Sequence, residues 1–488
     1  MAAIITNDYR VFNVDTFLKS MEGSTPDIYT YLFLGDSMRW DLTNPLESTS
    51  DSTPATPIDN TNSKNFIWEN MMFLKRILRS EVSHGIKKTV WTSGNYYDIY
   101  RSDYGNNGVQ GISLTGQVTY PISLDVANYY VVTSNGNVYI CLGNNSGLTA
   151  STSNPQDYGV GVGFGSFTTA DGYIWKFISS ISSADSVRFS TINFHPVKQV
   201  TTQPVSGDPY ELQYLAQEAA VEQAGAIYNV IVTAPGTNDA AYSGTIGTLV
   251  DQSFFNIKGD GSGLKISATF GGLNNLLQKI TILAPGTGYS YCSITITGVT
   301  GSNLTPIYTP LTGLGANPIY DLGSNYLLVG TKIEGSNSAD YIVNNDFRQI
   351  GLITNPLTSS GSLANADTLD ASYRLTVTNT GLSFTVDTEI VDNTTGSRAR
   401  VIDWNAATKV LKVNLSRPLS TSNWSAFNGF NIGDTISVVG GSISNEPLAN
   451  VVVPEIAHNT GKIIYFENRI PIIRNALQIE DIHLVLEY

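Results

Sequence analysis

Tyr129-Tyr130-Val131-Val132-Thr133-Ser134-Asn135-Gly136-Asn137-Val138-Tyr139-Ile140-Cys141-Leu142 reads as two short strands joined by a turn. β-Branched and aromatic side chains fill both arms, as half-buried pleated surfaces favour. The central Asn-Gly is a strong hairpin signal, because both residue types accept the positive φ that such turns need. A β-hairpin is expected here. It lies within Thr89 to Ile181, where short apolar runs alternate with glycine-bearing turns. Working outward from this region, the chain reads as mainly β with a few helices.

Towards the N-terminus, Ile28 and Tyr31 to Leu34 read as a buried strand, and Val14 to Met21 as a short helix capped by Asn13 or Asp15. Residues 43 to 63, rich in Thr, Ser, Pro, Asp and Asn, read as a loop. Phe66 to Val82 has Ile67, Met71, Leu74 and Leu78 at helical spacing, with Lys75, Arg76 and Arg79 among them. An amphipathic helix packed on a sheet is the expectation. A second helix is expected over residues 209 to 224, with Leu212, Leu215, Ala216, Ala219 and Ala220 inward and Glu218 and Glu222 outward. Pro209 and Gly225 punctuate its two ends.

Two internal duplications follow. Val230-Ile231-Val232-Thr233-Ala234-Pro235-Gly236-Thr237 matches Ile280-Thr281-Ile282-Leu283-Ala284-Pro285-Gly286-Thr287. Each copy reads as a strand ending in a Pro-Gly turn, in which the glycine takes the positive φ. Two copies are too few for a solenoid, which needs at least three. Phe384 to Ile390 and Phe430 to Ile436 share an aromatic residue, a β-branched residue two positions later and an isoleucine six later. Between these copies, Ala399 to Ile402 and Val410 to Leu415 flank an Asp403-Trp404-Asn405 turn, and the pattern resembles the small β-barrel modules often inserted into phage tail proteins.

The chain has 488 residues, more than one hydrophobic core usually covers, so several domains are expected. Charged residues make up only 14%, against roughly a quarter in ordinary soluble domains. Its polar surface must therefore come from Ser, Thr, Asn, Gly and Tyr, groups suited to hydrogen-bonded and aromatic contacts with protein partners. With 27 basic and 41 acidic side chains the formal charge is −14. A phosphate backbone or an anionic membrane would repel it, so neither nucleic acid nor membrane insertion is expected among its partners. Cys141 and Cys292 are the two cysteines. They form no disulfide framework, which favours assembly in a reducing cytoplasm. Met1 to Phe12 lacks the apolar core of a signal peptide.

Catalytic motifs are weak. His84, His195, His458 and His483 are not at metal-ligand spacing, and neither a metal nor a cofactor is expected. The glycines from Gly159 to Gly165 lead into a strand, whereas a dinucleotide fingerprint must open a helix. Gly259-Asp260-Gly261-Ser262-Gly263 lacks the spaced carboxylates of a calcium loop and reads as a turn. A glycosidase needs two carboxyls about 5 to 10 Å apart across a groove. Asp260, Glu334, Asp340 and Asp434 are candidates only by residue type, and no enzymatic activity is expected. Exposed Trp404 or Trp424 stacking on sugar rings would instead favour glycan binding, and polysaccharide cleavage is the other alternative.

Four patches carry a resemblance. They are Phe66-Ile67-Trp68-Glu69-Asn70-Met71-Met72; Asp171-Gly172-Tyr173-Ile174-Trp175-Lys176-Phe177; Asp346-Phe347-Arg348-Gln349-Ile350 with Ile353-Thr354-Asn355-Pro356-Leu357; and Ile464-Tyr465-Phe466-Glu467-Asn468-Arg469 with Pro471-Ile472-Ile473 and Ile479 to Leu484. In this order they resemble the dimeric peripheral wedge protein in the baseplate of T-even-like contractile-tailed bacteriophages. The resemblance implies a two-layer β-sandwich-like framework with β-rich inserted domains, a homodimer that also contacts other baseplate wedge proteins, and a place in the virion after assembly in the host cytoplasm. The family-matching residues are Asp171, Gly172, Tyr173, Trp175, Phe347, Arg348, Asn355, Pro356, Glu467, Asn468, Arg469 and Pro471. Framework segments are expected over residues 1–225, 301–357 and 456–488, interrupted by a duplicated β-domain at 226–300 and a barrel-like module at 358–455. The strand from Lys462 to Tyr465 should pair within the framework, and Arg348 and Arg469 should each pair with a carboxylate.

Overall fold

The computed structural model describes residues 4–23, 25–40, 50–106, 109–115, 119–121, 126–147, 149–155, 164–238, 247–272, 275–334, 345–415, 429–475 and 477–488. The fold is mainly β, with several sheets, one small closed barrel and few helices. Its contacts divide the chain into two compact units, one comprising Met1–Thr16, Ser83–Val329 and His483–Tyr488, the other Phe17–Val82 and Gly330–Ile482. Among the described residues no helix is long and apolar enough to cross a membrane.

In the first unit the expected hairpin forms. Tyr130–Val132 pairs antiparallel with Val138–Asn144, Val132 opposite Val138. Only Gly136 of the turn takes a positive φ, 78°, and its amide donates to the Thr133 carbonyl at 2.9 Å. The connection is thus a five-residue loop with a single left-handed position. The sheet continues through Tyr173–Ser179 to Ser166–Thr168. Helix Glu211–Val221 is shorter than expected; Ala216 and Ala220 are buried and Glu218 and Glu222 exposed as expected, but the rest of the buried face is polar. Gln213 and Gln217 are buried while Leu212 and Leu215 are exposed. Their amides are satisfied: Gln213 Oε1 accepts from the Ser179 hydroxyl and the Ser180 amide, and Gln217 Nε2 donates to the Val200 carbonyl.

The first duplication lies on two long strands, Ile227–Asn238 and Leu276–Thr287. The expected Pro-Gly turns do not occur, because both strands run on past the glycine. Gly236 and Gly286 do take positive φ, 69° and 62°. Each lies opposite a second positive-φ glycine in its partner strand, Gly301 and Gly263. A Cβ on Gly236 would come within 2.6 Å of the Ser302 nitrogen, and one on Gly286 would come equally close to the Leu264 nitrogen. The motif is a paired-glycine irregularity inside a ladder, and close backbone approach requires it. Ile227, Ile266, Ala268, Ile280, Ile294 and Leu304 belong to one core cluster in this region.

In the second unit a five-stranded sheet has the order Thr368–Asp370, Met71–Ile77, Thr30–Gly35, Asp346–Thr354, Lys462–Ile473. Every residue of Thr30–Gly35 is buried, as its unbroken apolar run requires. The helix expected over Phe66 to Val82 is corrected. A helix spans Thr61–Asn70, capped by the Asn60 side chain, and the chain then becomes the strand Met71–Ile77. Met71, Met72, Phe73 and Leu74 are buried consecutively on both faces, which an amphipathic helix cannot achieve but an internal strand can. The loop expected to reach residue 63 therefore gives way to helix at Thr61. The N-terminal helix runs over Asn7–Ser20, starting well before Asn13 or Asp15. Val11, Val14 and Leu18 form its buried stripe.

The second duplication builds the barrel. Its closed order is Tyr373–Val377, Val410–Leu415, Arg398–Asn405, Glu389–Asp392, Thr435–Val438, Glu446–Val452. Phe384, Phe430, Ile390 and Ile436 enter one core, and the equivalent positions Asp387 and Gly433 both take positive φ, 68° and 89°. Asp403-Trp404-Asn405 is not the turn: the strand ends at Asn405 and the reversal follows, with Lys409 left-handed at φ 57°. The strand that enters the barrel lies beside the one that leaves it, Arg374 opposite Val452.

Candidate functional site

Two of the resembling segments, more than a hundred residues apart in sequence, become neighbours. Asp346–Thr354 pairs antiparallel with Lys462–Ile473, Thr354 opposite Lys462 and Leu352 opposite Tyr465, as the closing strand was expected to do. The ladder is interrupted twice. Phe347 faces Ile472 and Gln349 faces Asn468, so Arg469, Ile470 and Pro471 bulge opposite Arg348 alone; Ile464 is a smaller bulge. Bulges re-aim side chains at sheet edges, and Ile464 and Ile470 are exposed on this edge strand together with Ile473. Leu477, 96% exposed, and Ile479 are further exposed apolar residues just beyond this strand in the sequence. Pro471 and the bulges blunt the edge against open-ended strand addition. Trp40 Nε1 also donates to the Arg469 carbonyl at 2.8 Å.

Behind this edge lies a buried ionic lock. Arg348, 2% exposed, donates through Nε and Nη2 to the two oxygens of Asp51 at 2.9 and 3.0 Å. Its Nη1 donates to Asp346 Oδ1 at 2.8 Å and to the Ser37 carbonyl at 2.6 Å. Burial alone would lower the guanidinium pKa, but the bonds to Asp51 and Asp346 outweigh it and hold the pKa above its usual value. The same Arg348 bonds hold the Asp51 carboxyl below the usual range. Gln349 Nε2 donates to Asn468 Oδ1 at 3.0 Å, and Asn468 Nδ2 to the Ala55 carbonyl at 2.9 Å. Arg469 makes its pair with Glu467 at 2.9 Å but in solvent, and the Tyr465 hydroxyl donates to the other Glu467 oxygen at 2.7 Å. Phe347 and Pro356 are buried. Asn355, left-handed at φ 49°, closes a two-way bond with Tyr29: its Oδ1 accepts the Tyr29 amide and its own amide donates to the Tyr29 carbonyl, both at 2.8 Å.

Asp171, Gly172, Tyr173 and Trp175 form a separate group in the other unit. Asp171 ties a turn together, accepting from the Thr152, Ser153 and Tyr173 amides at 2.7, 2.9 and 3.2 Å and from the Ser151 and Thr169 hydroxyls. Burial opposes ionisation of this carboxyl, and these donors overcome it to leave the pKa lowered. Gly172 has φ 83°, and a Cβ there would come within 2.6 Å of the Asn145 side chain. Tyr173 and Trp175 are buried and stacked, with ring centroids 5.7 Å apart. These residues tie a turn to a buried strand.

Nothing described assembles the carboxylate candidates into a reaction site. Asp260 accepts from the amides of Ser290 and Tyr291, a distant segment, at 2.9 and 3.1 Å, and Asp434 accepts from the Asn431 amide and side chain. Glu334 ends the strand Tyr326–Glu334. Asp340, Trp424 and Gly159 to Gly163 lie outside the described residues. Trp404 packs edge-on against Phe384 at 4.9 Å as part of the barrel core. A cleft of about 240 Å³ opens beside Tyr29, Arg76, Leu78 and Arg79, with no carboxylate, histidine or thiol among its lining residues. Among the described residues no three His, Cys, Asp or Glu side chains are placed to hold a metal.

Sequence reasoning missed three buried polar centres. Asp36 is fully buried beside the Arg348 lock. Lys176 is 1% exposed, with its ammonium donating to the Phe164 carbonyl at 3.0 Å, and burial pulls its pKa down to about 8. Asp321 is pushed up to about 7 by burial. No local pattern marks any of the three. No protein-family model matches the chain, and no curated protein does either.

Proposed function

We propose that this chain is a structural subunit of a contractile phage tail baseplate wedge, which assembles as a homodimer, contacts neighbouring wedge proteins and takes part in baseplate rearrangement during infection. The observation that carries this reading is the pairing of Asp346–Thr354 with Lys462–Ile473. There, the resembling segments meet as one rigid edge whose exposed rim is apolar and polar by turns. An exposed apolar patch bordered by polar groups is a usual mark of a protein contact surface. The buried Arg348 lock behind the rim would hold that surface in one shape through an exchange of partners, because packed β elements move as units.

The test is size-exclusion chromatography with light scattering, first on the chain alone and then with the wedge proteins of the same phage. A mass near twice 52.7 kDa, followed by co-migration with those proteins, is expected. A monomer that binds none of them would overturn the reading and direct attention to glycan binding or cleavage.

A further inference from the structure

The barrel rests on the five-stranded sheet through polar groups. Asn414 Nδ2 donates to the Asn70 carbonyl at 3.0 Å, Asn345 Nδ2 donates to the Ile402 carbonyl at 2.5 Å, and Ser37 hydrogen-bonds the Asp387 carboxylate. The buried pair Met72 and Ile402 supplies an apolar contact. At this joint lies Asp36, with no exposed surface and a left-handed φ of 57°. Its Oδ1 accepts from the Met38 amide at 3.2 Å, and its Oδ2 has no hydrogen-bond partner.

The charges around Asp36 are already engaged. Arg348, from the strand Asp346–Thr354, is committed to Asp51, Asp346 and the Ser37 carbonyl. Arg400, from the barrel, donates to the Asp387 carbonyl at 2.7 Å. Asp387 contributes a like charge. An ionised carboxylate with one oxygen lacking a donor is costly in a dry site, and a proton removes that cost.

We propose that the seat of the barrel on the sheet is a proton-operated joint, closed while Asp36 is protonated and loosened when that carboxyl ionises. Burial pushes Asp36 up to about 7 against the pull of Arg348, the Met38 amide and Arg400, with Asp387 adding to the rise. Asp387 is shifted upward by burial in its turn. The sign follows from proton binding. Above the ordinary value of 3.8 the opened joint releases the Asp36 proton while the closed joint retains it, up to about 7. Closure is therefore fully supported at low pH and weakens as pH climbs through that window.

Hydrogen–deuterium exchange on the full chain, corrected for the intrinsic pH dependence of exchange, tests this. From pH 6 to pH 8.5 the protection of amides in residues 34–40, 384–404 and 410–415 should fall about tenfold. Protection in residues 129–142, within the first unit, should not. Asp36→Asn, neutral at every pH, should abolish the fall. Asp387→Asn, which removes the like charge and keeps a side-chain oxygen to accept the Ser37 hydrogen bond, should move its midpoint to lower pH. An equal loss in residues 129–142, the same fall in Asp36→Asn or an unmoved midpoint in Asp387→Asn would each overturn the joint.

Discussion

Arg348 and Lys176 are both cations buried almost completely, one in each compact unit, and burial has opposite outcomes for them. Arg348 is met by two carboxylates and a carbonyl in fork geometry, and its charge is reinforced. Lys176 has the Phe164 carbonyl, the Gln223 side chain at 3.5 Å and the Tyr228 ring at 5.6 Å, and its charge is weakened. Burial depth does not decide whether an interior charge persists; the number and geometry of its counter-groups do. The first arrangement locks a shape, whereas the second only fills a core position.

The sharpest way to break this contrast is Arg348→Ala. It strands Asp51, Asp346 and the Ser37 carbonyl, and should cost about 3 to 5 kcal/mol by urea denaturation. Arg348→Lys should recover little of that loss, since one ammonium cannot reproduce the two-pronged contact with Asp51. Asp171→Ala is next, at about 2 to 3 kcal/mol, because five donors lose their acceptor. The contribution of Asp171 is present above the ordinary carboxyl value and lost as pH falls through its lowered one, so a pH titration of melting should show the variant approaching wild type in acid. Lys176→Met should lie within about 1 kcal/mol of wild type at pH 7. Wild type should then gain on that variant between pH 8 and 10.5, where the unfolded chain binds the lysine proton and the folded chain releases it. The smallest effect belongs to Arg469→Ala. Its solvent-exposed pair with Glu467 is worth less than about 1 kcal/mol, so melting should barely move. Under the proposed function the same substitution should weaken dimerisation or wedge incorporation, and unchanged assembly would remove Arg469 from the contact surface.

Much of the β character was legible in sequence because strand and turn signals are local. The hairpin at Tyr130–Val132 and Val138–Asn144, the two duplications and the buried Tyr31 to Leu34 run all announce themselves within a few residues. Met71–Ile77 was misread because Ile67, Met71, Leu74 and Leu78 satisfy a helical period as well as a buried strand does. The decisive signal was the contiguous Met71-Met72-Phe73-Leu74 run. The Pro-Gly motifs were misread as turns because the glycines that face them, Gly301 and Gly263, are set by strand pairing and not by neighbouring residues. Carboxylate partners for Arg348 and Arg469 were expected, but Asp51 lies 297 residues from Arg348 and could not be named. Asp36, Lys176 and Asp321 owe their unusual environments to burial by distant segments, which leaves no periodicity to read.

The side-by-side entry and exit of the barrel, Arg374 against Val452, makes that module a cartridge on a two-wire plug. Its two attachment points are already one strand spacing apart, so a short linker could replace the whole module at little loop-closure cost. The parent sheet would keep Asp346–Thr354 and Lys462–Ile473 together through their own ladder. A lineage carrying this chain could exchange the cartridge for another of any size whose ends meet, changing what the protein presents to its surroundings while leaving the ionic lock at Arg348 untouched.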